Sequence, residues 1–129
     1  MTNYNLQEVD FFNIQLLLSA LTIGTIMVSM VLTYNEKLGL EEKEQILTPE
    51  EVDSILVVNR SIVVLIGIGF LLLNISNRKV KENDGKINLK YADLQISAST
   101  LTLIASFIVL YVALNDSNQP IISTENPQL

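Results

Sequence analysis

The formal charges of this chain are kept apart from its apolar residues. Three windows, Phe11–Tyr34, Ile55–Ile75 and Leu94–Leu114, make up about half of the 129 residues and contain a single formal charge, Arg60. A helix needs about 20 apolar residues, at ~1.5 Å each, to cross the hydrocarbon core of a bilayer. Each window is long enough. A soluble bundle with an oily core would need a charged outer face on each helix, whereas Leu16–Val31 and Ile62–Leu73 carry no charge at all. An overall hydrophobic share of 49% would suit a soluble domain; its distribution decides against one. The expected fold is all-α: an integral membrane protein with three transmembrane helices in a small up-down bundle. The polar residues inside the windows are mostly Ser and Thr, whose hydroxyls can bond carbonyls of their own helix.

Around these spans the sequence divides into a short N-terminal segment (1–10), an acidic loop (35–54), a basic loop (77–90) and a tail (115–129). The first span reads as retained rather than as a signal peptide. Met1–Asp10 has no Lys or Arg, and no small-residue cleavage pattern follows the apolar run. Thr48-Pro49-Glu50-Glu51 supplies an N-cap hydroxyl, a proline at N1 and a Glu at N3, so the second helix is expected to start there, in water. Its acids lie at the positive end of the helix dipole. Asn83-Asp84-Gly85 marks a turn before the third span. Pro120, Pro127 and the surrounding Asn, Ser and Gln predict a disordered tail.

Composition removes several function classes. The chain has no Cys and no His, so the soft metal ligands, disulfides and Ser-His-Asp or Cys-His triads are all missing. A net charge of −6 gives no basic footprint for nucleic acid. Phosphate-binding glycine loops and EF-hand spacing are absent from the sequence. The expectation is a protein that is not an enzyme and uses no cofactor.

Lys and Arg in short loops set membrane orientation. The 77–90 segment carries Arg78, Lys79, Lys81, Lys86 and Lys90, against Lys37 and Lys43 in 35–54. With three spans, the N-terminus and the basic loop share one side. The predicted arrangement is a multi-pass protein of the cell membrane with the N-terminus cytoplasmic and the C-terminus outside.

The candidate functional or packing residues lie on three polar stripes. Asp53, Arg60, Gly67 and Asn74 repeat every seven residues along one side of the second helix. A charge within the bilayer is costly, but Arg60 lies about 7–8 Å along the span, and its side chain leans toward the outer end. It is expected to snorkel to headgroups there. Gly67 allows close backbone approach, and Asn74 can bond across a helix interface. On the first helix, Gln15, Ser19, Thr22, Thr25 and Ser29 share a face, with Ala20 and Gly24 beside it. On the third, Gln95, Ala98, Ser99, Thr102, Ala105 and Ser106 share a face, including Ala98-x-x-x-Thr102-x-x-x-Ser106, with Leu101, Ile104, Phe107 and Ile108 opposite and suited to lipid. Asp93, near Lys90, reads as a helix-start acid.

Membrane helices associate through such small and polar stripes. The expected function is that of a small accessory or assembly subunit acting through helix–helix contacts. Its expected partners are the bilayer and either another membrane protein or further copies of itself. A homo-oligomeric pore or small transporter is the alternative.

Overall fold

Seven-residue repeats of small and polar side chains run through the apolar windows, and the tertiary structure is built on two of them. The computed structural model describes residues 3–85 and 88–115, with side chains from Glu8 onward. It contains α1 (Asn3–Leu40), α2 (Pro49–Asn83) and α3 (Lys90–Asn115), with no strand among the described residues. All three helices are long and apolar enough to cross a membrane.

The helices overrun the apolar windows. α1 absorbs residues 3–10 and continues to Leu40, and α2 runs from Pro49 to Asn83. The connections are therefore residues 41–48 and 84–89, shorter than the 35–54 and 77–90 segments expected. The reason is physical. A run of uncharged residues marks what the hydrocarbon tolerates, whereas helical hydrogen bonding continues into water until a cap or a breaker stops it. At 38 residues, α1 is about 57 Å long, against a hydrocarbon core of about 30 Å. Asn115 closes α3, its side-chain amide donating to the Tyr111 carbonyl at 2.8 Å. The tail expected to be disordered otherwise lies outside the described residues.

Helix ends follow local chemistry. At the start of α2, the Thr48 hydroxyl accepts from the Glu51 N–H at 3.2 Å, and the Glu51 carboxylate accepts from the Thr48 N–H at 3.1 Å. This is the capping box expected from the sequence. At the end of α1, the Lys43 N–H donates to the Leu38 carbonyl at 2.9 Å and the Glu42 N–H to that of Gly39 at 3.2 Å. These two bonds make a Schellman motif. Its left-handed position is filled by Glu42, at φ 57°, where glycine is the usual residue. Asn35, only 2% exposed, then holds the returning chain. Its side-chain oxygen accepts from the Leu47 N–H at 2.8 Å, and the Gln45 amide donates to the Asn35 carbonyl at 3.2 Å.

α2 is the middle helix. It packs on α1 and on α3, while no Cα of α1 comes within 8 Å of any in α3 among the described residues. Burial follows this order: 28% of the apolar stretch of α2 is enclosed by the protein, against 17% for α1 and 6% for α3. The remaining surface is apolar over long stretches, with Leu16, Met30, Leu65, Leu101 and Ile108 all more than half exposed. Such a surface suits lipid, since water would penalise it by ~25 cal/mol for each Å².

Replacing Glu42 by glycine relieves the left-handed backbone cost. Glu42→Gly is expected to stabilise the protein by about 0.5–1 kcal/mol, read as a higher thermal unfolding midpoint in mild detergent.

Candidate functional site

The seam between α1 and α2 repeats every seven residues. Leu18, Thr25 and Leu32 are buried on α1, with Thr22 and Ser29 between them. This spacing of about 3.5 residues keeps one stripe facing a partner helix, as in a left-handed coiled coil. Opposite, Asn59 of α2 is 3% exposed and donates its amide to the Thr25 carbonyl and to the Ser29 hydroxyl, both at 3.2 Å. The Thr25 hydroxyl turns back to the Thr22 carbonyl at 2.7 Å. Farther along, a Cβ placed on Gly69 would come within 2.8 Å of the Leu18 side chain. Polar lock and close approach therefore lie on one face of α2.

The seam between α2 and α3 lies on another face. Ala92, Ser99, Ser106 and Ala113 follow each other at intervals of seven, with Ala92 and Ser106 each 3% exposed. Asn74 donates its amide to the Ser99 hydroxyl. A Cβ added to Gly67 would meet a Leu103 methyl at 3.2 Å and the Leu103 Cα at 3.8 Å, so α3 backbone passes close to this glycine. The Ser106 hydroxyl donates to the Thr102 carbonyl at 2.9 Å, within its own helix. At the end of the seam, Arg78 pairs with Asp93 of α3 and with Glu82 one turn along α2.

The expected stripes thus separate into parts that pack and parts that do not. Gly67, Asn74, Thr102 and Ser106 lie on the α2–α3 seam, and Thr25 and Ser29 on the α1–α2 seam. Asp53 is exposed, above the packed region. Ser19, Ala20 and Gly24 face outward, and no atom lies within 4 Å of a Cβ built on Gly24. Leu101, Ile104, Phe107 and Ile108 are exposed as expected.

Arg60 differs from the snorkelling expected of it. It is 4% exposed, enclosed by the protein rather than carried to its surface. The residue is not without an interaction there. Helix packing around α2, which sequence depth could not supply, decides its surroundings.

Sequence reasoning overlooked four features: Asn59, Asn35, Gly69 and the Arg78–Asp93 pair. Asn59 was legible as a strongly polar side chain inside an apolar window. Asn35 was hidden by its place at the edge of a presumed loop. The Arg78–Asp93 pair joins residues on successive helices, and only the α2–α3 register brings them together.

A cleft of about 190 Å³ opens at the end of the molecule that holds the start of α1, the end of α2 and the start of α3. Glu8, Phe11, Phe12 and Gln15 line it from α1. Phe70, Leu73, Asn74 and Asn77 form its α2 wall, and Gln95 closes it from α3. All three helices contribute, so Gln15 and Gln95 line the same cleft although α1 and α3 stay apart. Among the described residues, no group of three or more Asp or Glu is placed to hold a metal ion. No protein-family model, curated protein or solved structure matches this chain.

The Asn59 lock is the polar contact that costs most to lose. Asn59→Ala is expected to destabilise the protein by about 1 kcal/mol, with ~1.7 kcal/mol as the upper range for membrane interhelical bonds. Ser29→Ala should cost less, because the Thr25 carbonyl still accepts from Asn59. Denaturation of both variants in mixed micelles checks the order.

Proposed function

We propose that this chain is a small accessory or assembly subunit of the membrane, without catalytic activity, that works by docking a further transmembrane helix on α1. The observation that carries this reading is the unused face of α1. Gly67 of α2 and Ala92 and Ser106 of α3 are buried by packing within the chain, although Ala98 of α3 stays exposed. Ala20 and Gly24 are exposed too, and among the described residues nothing lies within 4 Å of a Cβ built on the glycine. Small residues at this spacing let two helix backbones approach in lipid, where association relies on packing rather than on a hydrophobic drive.

The proposed setting is the cell membrane, with the N-terminus and the α2–α3 connection on the cytoplasmic side. The excess of Lys and Arg in 77–90 supports this orientation. The acidic 35–54 segment would then face outward. A homo-oligomeric pore is the alternative use of the same face, because three helices enclose too little space for a conduit by themselves.

Native mass spectrometry of the chain, extracted at its natural expression level, tests the docking role. The expected result is a stoichiometric complex with another membrane protein, whose recovery falls about fivefold in Gly24→Leu, equivalent to ~1 kcal/mol. A lone monomer, or a complex indifferent to Gly24→Leu, overturns the reading. A ring of this chain alone that conducts ions in liposomes would favour the pore.

Orientation has its own test, in which an engineered cysteine is the one thiol of this sequence. In intact cells, a membrane-impermeant maleimide is expected to label Glu44→Cys and to leave Lys86→Cys unlabelled until the membrane is opened. The reverse pattern would invert the topology.

A further inference from the structure

We infer that the three-helix cleft is a binding site for a small organic ammonium group, and that its natural source is the head of an aminophospholipid. The inference is independent of the docking role proposed for α1.

The lining residues select the chemistry. The one charged side chain among them is Glu8, which is half-buried. With no Lys or Arg in the lining, a phosphate or carboxylate would meet a carboxylate and nothing to neutralise it. Phe11 and Phe70, both half-buried, and the exposed Phe12 supply aromatic rings. Aromatic rings attract organic cations, and most strongly where water is partly excluded. A hard metal ion fits poorly, since it takes six or more oxygen ligands with several carboxylates, and phenyl rings offer none.

An acyl chain alone fits no better. Gln15, Asn74, Asn77 and Gln95 bring four amides to the walls, and alkyl groups would leave their polar atoms unsatisfied. An ammonium group answers both features, because its N–H donors match carboxylate and amide oxygens. The Asn74 amide nitrogen is already engaged with Ser99, which leaves its carbonyl oxygen as the available acceptor. The volume of about 190 Å³ equals roughly six waters at ~30 Å³ each, enough for an ethanolamine head with room to spare.

Position selects the source. The cleft lies where all three apolar windows end. Glu8 precedes Phe11, the start of the first window; Asn77 follows Ile75, the end of the second; Gln95 adjoins Leu94, the start of the third. That level is the boundary between acyl chains and headgroups. A lipid reaches it by lateral diffusion, with its tails against the exposed apolar flanks of α1 and α3. Lys81, one helical turn beyond Asn77 on α2, adds a cation at the water side of the cleft, suited to the phosphate of the same headgroup.

The test uses the full chain in nanodiscs of equal phosphatidylethanolamine and phosphatidylglycerol, with the lipids retained on release counted by native mass spectrometry. The expected result is a preference for phosphatidylethanolamine of about tenfold, lost in Glu8→Gln and reduced in Phe70→Leu. Asp10→Asn, an exposed acid outside the cleft, should leave the preference unchanged and reports that loss of an acid near the N-terminus is not itself the cause. A second arm adds ethanolamine hydrochloride to discs of phosphatidylglycerol alone and follows backbone hydrogen exchange at Phe11–Gln15. Equal retention of the two lipids, together with protection by free ethanolamine that is absent in Glu8→Gln, assigns the ammonium site to soluble amines and overturns the lipid source. Equal retention of the two lipids with no protection by free ethanolamine overturns the site altogether, as does a preference that survives Glu8→Gln.

Discussion

Close helix packing in this protein runs through α2, and it does so because two different faces of that helix each set a glycine against a leucine of the neighbouring helix. Gly69 and Asn59 serve α1; Gly67 and Asn74 serve α3. In lipid, exposed leucines gain nothing by turning inward, since acyl chains are as apolar as they are. Association falls to contact and to hydrogen bonds that have no water to compete for them. Each seam therefore combines a glycine, where the neighbour comes close, with an asparagine amide that reaches a serine hydroxyl. The many other hydroxyls, such as those of Thr22, Ser61 and Thr100, bond carbonyls of their own helices and add little between helices.

Because α1 and α3 do not approach each other closely, the arrangement stays open on one side of α2. That openness has two consequences. It leaves a cleft at the end where the apolar windows stop, with Glu8 and three phenylalanines in its walls. It also leaves most of α1 and α3 turned outward, including the small pair Ala20 and Gly24. The packed part of the molecule is the pair of seams, and the exposed surfaces lie beside them.

Beyond the seams, the helix ends are fixed by polar bonds of short range. The capping box at Thr48, the Schellman turn at Glu42 and the Asn35 clamp bring α1 back into α2 through residues 41–48. The ion pairs there are exposed: Lys43 with Glu41 at 2.9 Å, and Lys37 with Glu41 at 3.7 Å. Such pairs contribute about 0–1 kcal/mol each, so backbone satisfaction carries the turn. Arg78 has a different task, tying the end of α2 to the start of α3 through Asp93.

The sequence by itself determined the number of helices, their membrane-crossing character, the cap at Thr48 and the residues able to pack closely. It could do so because charge exclusion, helix capping and a seven-residue period are properties of a single segment. Gly67, Asn74 and Ser106 were legible on those grounds. Tertiary structure alone decided which stripe met which neighbour. Seven-residue repeats on α1 and α3 match α2 equally well until register and rotation are set, and these depend on pairs far apart in sequence, such as Asn59 with Ser29 and Arg78 with Asp93. The same dependence enclosed Arg60, left Gly24 uncovered and gathered Glu8, Phe70 and Gln95 around one cleft. None of these follows from local composition, because each is a distance between helices.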